Sequence, residues 1–288
     1  MRKASKNNNR RDKSLSNKKF KSEDKNLNKT NKNNKQKVAK KASVKNTIIV
    51  SNKNEIRDEV RLNKYISETG FCSRREADKL IEQGRVKIDG LKATTGMKVS
   101  KGQSVSIDGK PLKVENELVY IALNKPVGIT CTTESKIKGN IVDFINHEKR
   151  IFPIGRLDKD SQGLIILTND GDLANEVLAA ENNHEKEYIV TLDQPFYDDF
   201  IKKMERGVEI LGQVTKPCKL KRINENTYSI ILTQGLNRQI RRMSKVFGFN
   251  VVKLERIRIL NITLEDIEYG KWRYINREEI EILKKLIK

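Results

Sequence analysis

Histidine is almost missing from this sequence: His147 and His184 are the only two among 288 residues. Cysteine is nearly as sparse, with Cys72, Cys131 and Cys218 widely spaced and no CxxC pair. These numbers exclude a zinc site of ordinary ligand spacing. An odd cysteine count without a close pair argues for a reducing compartment and against a disulfide framework. Neither GxGxxG nor GxxxxGKS/T occurs, so no nucleotide cofactor is indicated. No apolar run approaches the roughly 20 residues of a spanning helix. The N-terminus is basic, but no apolar segment follows it, so it does not read as a signal peptide. The expectation is a cytoplasmic protein with no metal and no cofactor.

Acidic residues are also scarce at the start of the chain. Residues 1–55 hold 4 Asp/Glu against 18 Lys/Arg, together with 12 asparagines, and supply +14 of the net +21. That composition cannot bury enough apolar surface to offset its ordering entropy, so 1–55 reads as a disordered basic tail. Its charge suits a polyanion, with salt-dependent and sequence-blind affinity for phosphate backbones. A merely solubilising tail is the competing reading. An anionic membrane fits less well, because the tail has no amphipathic pattern.

Residues 56–113 read as a small domain. Leu62 and Ile66 make a short helical stripe closed by Gly70. Ser73 and Glu76 form a capping box for a second helix, which buries Ala77, Leu80 and Ile81 and ends at Gly84. Val86 and Ile88 then alternate with polar residues up to the hairpin signal Asp89-Gly90, and Val99, Val105 and Ile107 continue that alternation. Lys64, Arg74, Arg75, Lys79, Arg85 and Lys87 gather around the second helix and the next strand. Arg74 and Arg75 oppose the helix dipole, a cost that an anionic ligand would offset. An ordinary solvated face is the alternative.

Residues 114–288 mix strands and helices without a regular βαβ repeat. An α+β domain is expected, with a mixed, largely antiparallel sheet flanked by helices. Three of its segments look chemical. Gly155-Arg156-Leu157-Asp158-Lys159-Asp160-Ser161-Gln162-Gly163 places an arginine two residues before an aspartate in a glycine-bounded loop. A carboxylate kept ionised in a dry cleft is a nucleophile or a base. Lys186-Glu187-Tyr188 starts a strand with a tyrosine after a charged loop. In Gly235-Leu236-Asn237-Arg238-Gln239-Ile240-Arg241-Arg242-Met243, the arginines 238, 241 and 242 share one helix face suited to phosphate or carboxylate.

The pattern Arg61-Leu62-Asn63-Lys64-Tyr65-Ile66, Ser73-Arg74-Arg75-Glu76-Ala77-Asp78, Gly84-Arg85-Val86 and Asp89-Gly90 resembles the alpha-L RNA-binding motif, of the ribosomal protein S-four type. The three chemical segments behind it resemble the RsuA/RluB/RluE/RluF branch of bacterial ribosomal RNA pseudouridine synthases, and within it the large-subunit enzymes. Asn124-Lys125-Pro126-Val127-Gly128-Ile129 and Lys253-Leu254-Glu255-Arg256-Ile257-Arg258 match as well. Together the resemblance covers roughly residues 56–288.

The resemblance implies isomerisation of a uridine in a structured stem-loop of 23S ribosomal RNA. The reaction has no redox change and no incoming group, so it needs no cofactor. Asp158 would be the catalytic carboxylate, attacking base or sugar or removing a sugar proton. Arg241 is expected to pair with it. Arg156 is the second candidate for that pairing, or else a contact to phosphate. Tyr188 would stack on the uracil and assist proton loss at C5. Lys64, Arg74, Arg75, Lys79, Arg85, Lys87, Arg156, Arg238 and Arg242 would bind RNA. Asp160 and Ser161 would shape the loop. A monomer is expected. A non-catalytic RNA-binding or ribosome-assembly factor would share the charge and the first module, but would not explain the loop, tyrosine and arginine helix together.

Overall fold

The computed structural model describes residues 49–50 along the backbone, and 59–113, 117–179 and 183–288 in full. The expected disordered tail therefore lies outside the described residues, except for Ile49–Val50 (β1). That segment is extended and pairs antiparallel with Glu117–Leu118 (β8), so a short strand falls inside the stretch expected to have none.

The first module follows the expected order. Glu59–Arg61 (β2) leads into the helices Leu62–Glu68 (α1) and Arg74–Glu82 (α2). Then come Val86–Ile88 (β3), Leu91–Lys92 (β4), Lys98–Ser100 (β5), Val105–Ile107 (β6) and Lys110–Pro111 (β7). The Glu76 amide donates to Ser73 Oγ at 3.2 Å and the Ser73 amide to Glu76 Oε2 at 2.8 Å, closing the capping box. Asp89 and Gly90 both take positive φ, 50° and 83°, as a two-residue hairpin turn requires. Leu62, Ile66, Ala77, Ile81, Val86, Val99 and Val105 form its core. The module meets the larger domain at the start of a helix, Gly171–Leu178 (α4), where Lys64 Nζ reaches Asp172 Oδ1 at 2.6 Å.

The larger domain is built on one sheet. Its elements run Tyr120–Lys125 (β9), Ile141–Ile145 (α3), Phe152–Pro153 (β10), Gln162–Thr168 (β11), then α4 and Lys186–Leu192 (β12). They continue through Asp198–Glu205 (α5), the hairpin Glu209–Ile210 (β13) and Gln213–Val214 (β14), Lys219–Arg222 (β15) and Thr227–Leu232 (β16). Gln239–Val246 (α6), Val251–Ile259 (β17), Ile262–Thr263 (β18), Trp272–Tyr274 (β19) and Arg277–Leu286 (α7) complete it. The strand order is β15-β16-β12-β17-β11-β9-β19, with β10 and β18 paired at the side. Along that path β11 and β17 pair parallel and the other neighbours antiparallel, which is the mixed, largely antiparallel sheet expected.

The apolar run Leu164-Ile165-Ile166-Leu167 is buried on both faces, as a central strand covered by helices must be. Leu164 and Ile166 pack with Leu173 and Val177 of α4 and Ile280 and Leu283 of α7. Ile165 and Leu167 pack on the other face with Ile141 and Ile145 of α3. A second core, under the β12–β16–β17 half, joins Val190, Tyr228 and Ile230 to Phe200 and Met204 of α5 and to Ile240 and Met243 of α6. That packing seats α6 at the edge of the glycine-bounded loop.

Candidate active site

The loop between β10 and β11 is held at both ends. Gly155 has φ 77° and Gly163 φ 104°. A Cβ on Gly163 would stand 2.3 Å from the Arg256 carbonyl oxygen, so only glycine lets β11 and β17 meet there. Between them Leu157 is buried and its amide donates to Cys131 Sγ at 3.4 Å. The Ser161 amide donates to the Asp158 carbonyl at 3.1 Å, closing a turn that carries both carboxylates. Burial pushes the Cys131 thiol up.

Arg238 is the N-cap of α6 and adopts the left-handed conformation, φ 50° and ψ 36°, with no side-chain cap bond. Its guanidinium forks onto Asp160, at 3.0 Å from Oδ1 and 2.9 Å from Oδ2. These bonds hold the Asp160 carboxyl below the ordinary carboxylate range. Arg238 Nη1 is also 3.5 Å from Asp158 Oδ2. The expected pairing of Arg241 with Asp158 is thus corrected: the ion pair to Asp158 among the described residues is made by Arg238, which had been read as an RNA contact. The reason is directional. Arg241, one turn into the helix, spends its donors on the carbonyls of Val251 at 2.8 Å and Asp160 at 3.0 Å, and on Ser161 Oγ at 3.3 Å. Its charge reaches Asp160 Oδ2 at 3.4 Å. Arg242 turns back onto Asn237, so the three arginines do not act on one target. Arg156 is exposed on the rim with no ion pair among the described residues.

Tyr188 faces this loop from β12. The register of β12 on β17 shifts between Glu187 and Tyr188, an irregularity that re-aims the side chain. Beneath the ring lies Arg256, its Cζ 6.0 Å from the ring centroid. Arg256 is buried, its Nε donates to the Leu164 carbonyl at 2.7 Å, and its Nη2 has no partner. Asp158, Tyr188, Arg238, Ile240 and Leu254 line one cavity of about 120 Å³. A slot of this size, with a carboxylate and a phenol among its lining groups, can take a single planar ring.

The chain belongs to the RNA pseudouridine synthases. The RNA pseudouridylate synthase family model matches residues 119–245, and the S4 domain model matches residues 60–105. The synthase is 58% identical to "Dual-specificity RNA pseudouridine synthase RluF" of Escherichia coli (strain K12) over 231 residues, 79% of each chain. It is 36% identical to "Ribosomal large subunit pseudouridine synthase B" of Bacillus subtilis (strain 168), covering 78% of this chain and 96% of that one. A crystal structure of a pseudouridylate synthase superposes with a TM-score of 0.59 at 31% identity, covering 78% of the synthase and 99% of that chain.

In the S4 module, Arg74, Arg75, Lys79 and Lys87 of the synthase are exposed. Lys64 and Arg85 have acidic partners within the protein. Lys64 is half-buried against Asp172, and Arg85 Nε donates to Asp108 Oδ1 at 3.0 Å, so acidic neighbours already neutralise both. Two inner cations escaped the sequence reading as functional groups. Lys125 is fully buried and donates to the carbonyls of Pro126 at 2.8 Å and Ile129 at 3.0 Å; burial lowers its pKa. Arg256 is the other. Arg256 carries a visible signal, the strand parity of the buried Leu254; Lys125 carries none of that kind, because β9 is buried at every position. Among the described residues no His/Cys/Asp/Glu group could hold a metal, and no helix is long and apolar enough to cross a membrane.

Proposed function

We propose that the synthase isomerises a uridine in a structured stem-loop of 23S ribosomal RNA, as a monomer in the cytoplasm. The observation that carries the site assignment is the shared cavity: Asp158 and Tyr188 both line a slot of about 120 Å³. The uracil leaves its stack, as chemistry on a base in structured RNA requires, and enters that slot between Tyr188 and Leu254. The N1–C1′ bond breaks, the base turns, a C5–C1′ bond forms, and the C5 proton is replaced by one on N1. Asp158 is the carboxylate at the glycosidic bond. Arg238 at 3.5 Å supplies the cation a partly buried carboxylate needs, and Arg241 holds the Asp160–Ser161 turn beneath it. The Tyr188 hydroxyl assists removal of the C5 proton.

Base flipping costs a few kcal/mol, offset by phosphate contacts. Arg74, Arg75, Lys79 and Lys87 in the S4 module, with Arg156 at the cleft, provide them. The relatives, one of them named as a ribosomal large-subunit synthase, support the choice of RNA. Asp158→Asn should abolish pseudouridine formation while leaving folding and RNA binding intact. Carbodiimide primer-extension mapping of ribosomal RNA from a deletion strain carrying the variant reads this directly. Modification restored by the variant would remove Asp158 from the mechanism.

A further inference from the structure

The catalytic loop has two sides, and the proposed function uses one. On the far side from Tyr188 lies a second cavity of about 650 Å³. The two cavities share Arg156, Leu157, Asp158 and Arg238 as a common wall. The far cavity is far too large for the ring that fills the slot, yet lies within the range of small-ligand sites. Resting on the uridine reading above, we propose that it receives the base of the nucleotide adjoining the target uridine.

Three observations carry this. The first is continuity: neighbouring nucleotides are joined by one phosphate, and the residues shared by the two cavities include Arg156, exposed and with no ion pair among the described residues. The second is chemistry. The side walls include Val127 and Ile137, apolar residues left 51% and 38% exposed, beside the hydroxyls of Thr130 and Thr132. Thr132 Oγ1 accepts from the Glu134 amide at 3.2 Å, which leaves its proton to donate to a base edge. Lys136 and Lys138 flank Ile137 in sequence and are exposed, so cations bracket the apolar contact, a combination suited to an unstacked nucleotide.

The third is rigidity. The loop bearing Ile137 is pinned at its base, where the Thr130 amide donates to the Gly139 carbonyl at 3.0 Å and the Ile141 amide to the Thr130 carbonyl at 2.9 Å. Asn140 Nδ2 donates to the Ile137 carbonyl at 2.9 Å and its Oδ1 caps α3. The opposite lip is tied to the catalytic loop by the Gly128 amide, 2.8 Å from the Lys159 carbonyl. The wall is therefore formed before RNA arrives. Flipping the uridine deprives its neighbour of a stacking partner, and this cavity replaces the lost contact.

The test uses the full-length protein and a hairpin RNA with one unpaired uridine and 2-aminopurine on one side of it or the other. Binding should change the fluorescence at one flanking position. Ile137→Ala should weaken affinity for that RNA about fivefold, as loss of a buried apolar contact of roughly 1 kcal/mol does. Thr132→Val, which removes the hydroxyl that meets the base edge, should weaken it likewise and reduce the fluorescence change. An RNA abasic at that position should bind wild type and both variants alike. Silence at both flanking positions, or an equal loss on the abasic RNA, overturns the proposal. A fluorescence change in wild type without any pseudouridine formed would uphold the cavity's role and refute the uridine chemistry.

Discussion

At the scale of single residues, the site is arranged around a division of labour between two carboxylates. Asp160 takes the arginine fork and Asp158 takes a longer contact from the same guanidinium. The folded pKa of Asp160 lies below its ordinary value, so its pairing contributes fully above the unfolded carboxylate range. That contribution is lost only as pH falls through the lowered value. Carbon-13 carboxyl titration by NMR should place Asp160 below an ordinary aspartate, and Arg238→Met should move it back up. An unmoved midpoint would show that Arg238 is not the cause. Lysine in place of Arg238 cannot supply the fork. Gly163 is the other residue without a substitute. Gly163→Ala meets both a φ of 104° and a carbonyl 2.3 Å away. It should cost about 3 kcal/mol or more. Thermal unfolding should register that as a drop of roughly 10 °C.

At the scale of elements, what could be read in advance depended on whether a signal was local. The Ser73–Glu76 capping box is a pattern within four residues, and α2 begins where it says. The run Leu164–Leu167 is apolar throughout, and β11 lies buried at the sheet centre. Strand β15, Lys-Leu-Lys-Arg at an edge, was missed because an edge strand needs no apolar run, and its four residues alternate between exposed and half-buried. Helix α5 was missed because its buried face is little more than Phe200 and Met204 in a charged sequence. The residues of the site were legible as types and spacings, but the pairing of Arg238 with Asp158 was not. It depends on Arg238 leaving helical geometry at the N-cap, a backbone state that no periodicity announces. Local signals carry local energies. Ser73→Ala should cost about 1 kcal/mol, visible as roughly fivefold faster amide exchange in residues 74–82. Unchanged exchange would mean that tertiary packing alone holds α2.

At the scale of the whole molecule, the S4 module and the larger domain touch where Lys64 meets Asp172, two residues after the Asp170 cap of α4. Asp170 also accepts from Tyr120 of β9 at 2.7 Å, so the contact reaches the central sheet through one helix start. The parallel pair of β11 and β17 has a consequence for how the synthase is made. Asp158, Tyr188 and Arg241 have all left the ribosome's tunnel before residues 251–259 have, yet it is β17 that separates β12 from β11 and sets the spacing between tyrosine and aspartate. A chain stopped after Val246 would carry every proposed catalytic residue and should form no pseudouridine in a purified assay. Supplying the missing C-terminal segment as a separate peptide should restore some. The nascent polypeptide should thus stay chemically inert until β17 has been added.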